Sequence, residues 1–207
     1  MITVHDFLFN SYKERTYIVY DDKNNAMIID PGCSNNEEED ILDSFIETNQ
    51  LNLKFIINTH CHVDHILGNY HVKNKYNVPI YIHEKEKVIL DAAPIYYSQY
   101  GFDHYNHMSD INFIGNELFL GNYLFEVYFT PGHSPGHISL VNKKNNICFS
   151  GDTLFKNHIG RTDLPYSNHD DIISSLKKLL ILDDDVSVYP GHGKPTTIGD
   201  ERVNLQL

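Results

Sequence analysis

Along the first thirty residues, short apolar runs are divided by polar turns, a strand pattern rather than a helical one. Val4–Phe9 mixes apolar and polar side chains. Thr16–Tyr20 is β-branched and aromatic, and Ala26–Ile29 returns as its partner across the polar turn Asp21–Asn25. Asp30-Pro31-Gly32 breaks that strand, and the period then changes. Ile41, Leu42, Phe45 and Ile46 recur at helical spacing behind the acidic turn Glu37–Asp40, with Ser34 or Asn36 as the expected cap. Lys54–Asn58 reads as a buried strand, 66–75 as a helix, Pro79–Ile82 as a short strand and Glu84–Leu90 as helical. From Ala92 to Ser109 the period is lost. Tyr96, Tyr97, Tyr100, Phe102, His104, Tyr105 and His107 crowd there, either as a surface segment packing its rings on the core or as a wall over a cleft.

Strands resume at Ile111–Phe113, Glu117–Phe119 and Tyr123–Phe129, and Ile138–Val141 pairs with Ile147–Phe149 across Lys143–Asn146. A helix over His169–Leu180 places Ile172, Ile173, Leu176, Leu179 and Leu180 on one side, and Val186–Tyr189 is the last strand. No linker interrupts this order, so one domain over 1–207 is expected.

Composition narrows the function classes. Apolar residues make up 41% and charged residues 21%, ordinary values for a globular chain. The formal charge of 16 − 28 = −12 repels phosphate backbones and argues against a nucleic-acid partner. The three cysteines, Cys33, Cys61 and Cys148, form no CxxC, which fits a reducing compartment. The first residues show no basic stretch followed by an apolar run, and no uncharged apolar stretch approaches bilayer length. A cytoplasmic protein without a membrane partner is the expectation.

Histidine is the outlier, at 13 residues. His5, His71, His104, His107, His158 and His169 are scattered and read as surface or satisfied core residues. The stretch Thr59-His60-Cys61-His62-Val63-Asp64-His65-Ile66-Leu67-Gly68 differs, because four potential metal ligands fall within six residues just past a predicted strand. His133, Asp152 and His192 each follow a β-rich run and are flanked by glycine or proline. Imidazole and carboxylate together suit zinc, iron or manganese. His60, His62, Asp64, His65, His133, Asp152 and His192 exceed the four ligands of one tetrahedral zinc, whereas two adjacent metals would use them all. His60 and His62 point the same way on an extended backbone, while Asp64 and His65, after a bend, can face a neighbouring ion. Asp152 can bridge the two, one oxygen to each; as a lone aspartate it would otherwise read as a turn cap.

These motifs carry a resemblance. THCHVDHILG is similar to the T-H-x-H-x-D-H-x-x-G signature of the metallo-β-lactamase superfamily, with TPGHSPGH, SGDTLF and VYPGHG following in the family's order. Gly151–Phe155, Ile159–Pro165 and Pro195–Gly199 resemble the glyoxalase II (hydroxyacylglutathione hydrolase) group, in its short single-domain bacterial form. The resemblance implies an α/β fold of four layers, an αββα sandwich. It implies one metal on His60, His62 and His133 and a second on Asp64, His65 and His192, with Asp152 bridging. Asp30 would orient ligands from behind, and His137 would do the same or hold a turn. Longer members of the group bind glutathione carboxylates through a C-terminal helical domain. This sequence ends soon after Gly199, which leaves Arg161 and Lys194 as candidate anion-binding groups and Tyr96, Tyr97 or Tyr100 as candidate walls. Arg161 could equally be paired with Asp163.

The reaction expected from this set is hydrolysis of a small-molecule thioester such as S-D-lactoylglutathione. Two divalent ions, zinc before iron or manganese, would polarise the carbonyl and hold a bridging hydroxide as nucleophile. Asp64 would orient that hydroxide and shuttle its proton. The competing reaction is an iron-dependent persulfide dioxygenase on the same fold, which shares a Gly-Arg-Thr-Asp stretch like Gly160–Asp163. A metal-dependent binding module without catalysis is the third reading, disfavoured because no ligand is missing.

Overall fold

The computed structural model describes residues 1–205 of the chain. The N-terminal half builds a six-stranded sheet from β1 (Thr3–Phe9), β2 (Glu14–Tyr20), β3 (Asn25–Ile29), β4 (Asn52–Ile57), β5 (Ile80–Ile82) and β6 (Asn112–Phe113), in that order. β1, β2 and β3 form an antiparallel meander, and β3 to β6 run parallel. The crossovers that parallel pairing demands carry α1 (Asn36–Thr48), α2 (Asn69–Tyr76) and α3 (Lys87–Tyr96). The second sheet is ordered β14-β13-β10-β9-β8-β7, from β7 (Glu117–Leu120), β8 (Tyr123–Phe129), β9 (Ile138–Asn142), β10 (Ile147–Gly151), β13 (Ser187–Pro190) and β14 (Thr196–Thr197). β11 (Leu154–Phe155) and β12 (His158–Ile159) make a separate small hairpin. α4 (His169–Leu179) and α5 (Ile198–Leu205) complete the chain.

The period-two alternation of the strands sorts their side chains into separate cores. Tyr17, Val19, Met27, Ile29 and Ile57 of the first sheet meet Phe125, Leu140, Ile147 and Phe149 of the second, so the sheets pack face to face. The intervening residues Ile18, Ile28 and Ile56 point the other way, onto Leu42, Ile46, Val72, Leu90 and Ala93 of the three N-terminal helices. On the opposite outside face Val141, Cys148 and Val188 meet Ile172, Leu176 and Leu179 of α4 and Ile198 of α5. Three cores between four layers make the expected αββα sandwich. Among the described residues, no helix is long and apolar enough to cross a membrane.

Several local expectations are corrected. The cap of α1 is Asn35, not Ser34 or Asn36: its side chain accepts from the Glu38 N–H at 3.0 Å. Ser34 instead donates its N–H and hydroxyl to the Glu38 carboxylate. The helix expected from 66 begins at Asn69, because Val63–His65 is spent on a single 3₁₀ turn that aims the metal motif. The stretch expected to be helical over Glu84–Leu90 is a 3₁₀ turn, Glu84–Glu86, running into a helix that continues to Tyr96. Pro94 lies inside this helix and contributes no N–H to its hydrogen bonds. Replacing Asn35 by alanine is expected to lower the unfolding free energy by about 1 kcal/mol. Asn36→Ala should stay within about 0.5 kcal/mol of wild type, both read from urea denaturation.

Candidate metal centre

Strand direction gathers the polar loops. β8 and β10 are each antiparallel to β9, and β10 is parallel to β13, so the C-terminal ends of β8, β10 and β13 reach one edge. His133, Asp152 and His192 follow those three ends. In the first sheet β3 and β4 are parallel, with Ile29 opposite Ile57, so Asp30 emerges beside the 58–65 segment. Backbone bonds fasten the loops to one another. Gly191 N–H donates to Gly151 O at 2.9 Å, Arg15 N–H to Gly191 O at 2.7 Å, and Ile138 N–H to Thr59 O at 2.9 Å. The Arg15 guanidinium also holds Gly193 O, and the Tyr17 hydroxyl holds Pro190 O at 2.7 Å.

The structure brings all seven sequence-predicted groups together in two abutting clusters. In one, ligand atoms of His60, His62 and His133 lie within 4.8 Å of one another; in the other, those of Asp64, His65 and His192 do the same. His62 Nδ1 is 2.9 Å from His133 Nε2. His192 Nε2 is 3.2 Å from His65 Nε2 and 3.1 Å from Asp64 Oδ2. Asp152 stands between the clusters. Its Oδ1 is 3.6 Å from His65 Nε2, and its Oδ2 is 3.5 Å from His133 Nε2 and 3.7 Å from His192 Nε2.

Four of the imidazoles are tethered from behind through Nδ1. His65 Nδ1 lies 3.3 Å from Asp30 Oδ2, His133 Nδ1 3.0 Å from Arg161 O, and His192 Nδ1 3.2 Å from Tyr12 O. The Thr59 hydroxyl donates to Asp30 at 2.6 Å and receives His60 Nδ1 at 3.1 Å. Only acceptors surround these Nδ1 atoms, so the ring proton is assigned there and the Nε2 lone pair faces the site. Asp30 and His60 with His65 also form a cluster of ligand atoms, but both Asp30 oxygens are already taken by Thr59 and His65. Its role is orientation. His137 holds the turn instead: its Nε2 accepts the Asp152 N–H at 2.9 Å, and its Nδ1 lies 3.0 Å from the Thr130 and Thr153 hydroxyls.

Burial and charge act on the two clusters differently. Burial pushes the His62 imidazole down to about 3, reinforced by His133, and burial likewise lowers His60 and His133. Burial opposes protonation of His65 and His192 too, but Asp64 and Asp152 beside them win and raise both. Burial alone would raise Asp64 and Asp152; the neighbouring His65 holds both below the carboxylate range, with His192 assisting. Two atoms of the site are left over. His60 Nε2 and Asp152 Oδ1 are buried with no hydrogen-bond partner among the described residues. Unpartnered lone pairs on neutral imidazoles and ionised carboxylates are what a divalent cation satisfies, so these residues fit one in each cluster.

The clusters form the floor of a cavity of about 440 Å³. His62, Asp64, His133, Asp152 and His192 line it, with Tyr96, Tyr100 and Arg161 from the expected wall. Tyr97 does not line it; it packs with Tyr96, Tyr100 and Tyr105 against Val63, Leu67 and Phe102. The Tyr-rich segment is thus a wall at two rings and a small core at the rest. The Arg161 guanidinium is exposed and makes two 2.7 Å bonds to Asp163. Lys194 is exposed and is not part of the lining. Tyr12, Phe155, Ile159 and Leu164 do line the cavity. Sequence reasoning missed them, because isolated apolar residues between short strands carry no pattern. A larger hollow of about 930 Å³ lies between the start of α1 and residues 101–106, and none of the seven clustered His and Asp side chains lines it.

An αββα sandwich with two abutting His/Asp clusters at the strand ends defines a class of metal-dependent enzymes. The profile of the Metallo-beta-lactamase superfamily matches residues 14–192, and the chain belongs to that superfamily of metal-dependent hydrolases. It is 36% identical over 197 residues to the hydroxyacylglutathione hydrolase GloC of Haemophilus influenzae, covering 93% of this chain and 91% of that one. Among solved structures it is similar to TTHA1623 in a di-iron-bound form, with TM-score 0.87, 29% identity and coverage of 97% and 98%. It is also similar to the BLEG-1 B3 metallo-beta-lactamase, with TM-score 0.85, 31% identity and 97% of each chain covered.

Two outcomes follow for metal uptake. A Cβ on Gly191 would stand 2.2 Å from Asp152 Oδ1 and 2.7 Å from His65 Cε1, and the His65 ring is already tethered to Asp30. Gly191→Ala is therefore expected to weaken divalent-metal affinity by about tenfold or more in chelator competition. Because His65 and His192 are raised above 6.5, protons occupy their lone pairs below the raised values. Metal uptake should release protons, and apparent affinity should fall as pH drops, measured by calorimetry in buffers of different ionisation enthalpy.

Proposed function

We propose that this chain is a binuclear metal hydrolase of the glyoxalase II kind, cleaving a small thioester such as S-D-lactoylglutathione. The observation that carries this reading is the pair of three-residue clusters spanned by one carboxylate, Asp152, beneath an aromatic-lined cavity. The likeness to the Haemophilus influenzae hydroxyacylglutathione hydrolase supports the thioester. His60, His62 and His133 would hold one ion and Asp64, His65 and His192 the other, with Asp152 reaching both. Zinc would suit these ligands first, with iron or manganese as alternatives. When bound, the two ions supply an activated water at neutral pH and polarise the acyl carbonyl.

The remaining chemistry belongs to the chain. Tyr12, Tyr96, Tyr100 and Phe155 exclude water around the acyl group and hold it over the clusters. Asp64 faces the cavity, is held ionised by His65 and His192, and takes the proton of the attacking water. Asp30 and Thr59 keep His60 and His65 in the tautomers that present Nε2. A thiolate leaving group, with a pKa of roughly 8.5, departs without a dedicated acid, and no side chain needs to fill that role. Arg161, at the cavity wall, can exchange Asp163 for an anionic group of the substrate.

The test is hydrolysis of S-D-lactoylglutathione beside metal content per chain. Wild type should turn over with two ions bound, and His62→Ala and Asp152→Ala should each lose at least about a thousandfold in kcat/KM. Wild-type turnover in either folded variant would overturn the site. Oxygen consumption on glutathione persulfide, with a single iron per chain, would replace hydrolysis by dioxygenation.

A further inference from the structure

Glu86 lies outside every ligand cluster, in the 3₁₀ turn that leads into α3, and its side chain is fully buried. In a run of sequence reading Glu84-Lys85-Glu86-Lys87 it has the look of one more surface charge. In the fold it receives three hydrogen bonds. Its Oε2 accepts the Cys61 N–H at 2.8 Å. Its Oε1 accepts the Ser134 hydroxyl at 2.6 Å and the Gly136 N–H at 2.6 Å.

The partners matter more than their number. Cys61 sits between His60 and His62, and its own side chain is turned into the outer core. Ser134 follows His133 directly, and Gly136 closes the same loop. One carboxylate therefore ties together the two loops that carry the three histidines of a single cluster; of the other cluster, Asp64 and His65 lie farther along the first of these loops, beyond the bonded Cys61 N–H, and His192 lies on a loop that Glu86 does not touch. The approach is close by construction: a Cβ on Gly136 would stand 2.5 Å from Glu86 N and 2.9 Å from Lys85 C. An ionised carboxylate is an acceptor at both oxygens, which three donors require, and bonds to a charged acceptor are the stronger kind. The α3 helix that starts beside Glu86 ends at Tyr96, on the cavity wall.

We propose that Glu86 is a positioning residue that sets the separation of the His60/His62 loop and the His133 loop, and thereby the metal affinity of that cluster alone. The proposal rests on the reading that these histidines hold a metal ion, but not on which bond the enzyme cleaves. Glu86→Gln keeps the shape of the side chain and loses the charge. Its amide offers one acceptor oxygen, and its NH₂ faces a donor on the other side. The other cluster keeps its tethers through Asp30, Tyr12 and the carboxylates of Asp64 and Asp152.

The experiment is stepwise cobalt(II) titration of metal-free wild type, Glu86→Gln and Ser134→Ala, read by visible absorption and by chelator competition. One of the two cobalt affinities should weaken by about 10- to 100-fold in Glu86→Gln, with its absorption band shifted, while the other stays within about threefold. Ser134→Ala removes one of the three bonds without touching the charge and should weaken the same ion by a smaller factor. It also decides the matter should Glu86→Gln fail to fold. Unchanged affinities in a folded variant, or equal loss at both ions, would overturn the proposal and leave Glu86 a structural residue. Selective loss of one ion from a protein that cleaves no thioester would sustain it while removing the proposed substrate.

Discussion

Five imidazoles and two ionised carboxylates sit at the junction of two apolar sheets, and everything around them manages their lone pairs. An imidazole has one proton to place. Where Nδ1 gives it to the chain, Nε2 is bare, and a bare lone pair buried 3 to 4 Å from others is unfavourable unless a cation fills the gap. Asp30, Thr59, Arg161 O and Tyr12 O place the Nδ1 proton in this way on His60, His65, His133 and His192, and on His65 and His192 the nearby carboxylates favour a second proton at Nε2 that a cation would replace. Asp30 matters most, because a single carboxylate controls one histidine from each cluster. The centre is therefore built for a cation before any cation is present.

The two clusters differ in the charge they can tolerate. The His60/His62/His133 side is neutral, and burial keeps it so. On the other side Asp64 and Asp152 draw protons onto His65 and His192. One half thus presents mainly imidazole nitrogen, and the other adds carboxylate oxygen. Asp152 joins them because its loop is fixed by backbone bonds, by His137 beneath its N–H, and by the absence of a side chain on Gly191.

Rigidity below contrasts with an adaptable surface above. The cavity wall borrows rings from elements distant in sequence: Tyr12 from the β1–β2 turn, Tyr96 and Tyr100 from the end of α3, Phe155 from the small β11–β12 hairpin. Rings on short connections can be exchanged without disturbing the sandwich, which is how one metal-holding frame serves several substrates.

Local pattern determined a great deal. The β-branched and aromatic run Thr16–Tyr20 and the apolar runs Ala26–Ile29 and Lys54–Asn58 named three strands of the first sheet, and the 3.6-residue recurrence of Ile172, Leu176 and Leu179 named α4. The seven candidate ligands were legible because polar residues clustered at strand ends have no packing rationale. What had no local signature was left to tertiary structure. The two-residue strands β11, β12 and β14 are too short to show a period. Asn35 is chemically identical to Asn36, one of the two expected caps, and only backbone geometry makes it the cap. Tyr96 and Tyr97 are adjacent and alike and both pack on a small core, yet only Tyr96 also lines the cavity. Glu86 carries the same letter as exposed Glu84, and the difference lies wholly in which loops fold over it. Periodicity reports the face a residue shows its own element, while partners contributed by other elements are set only when the chain closes on itself.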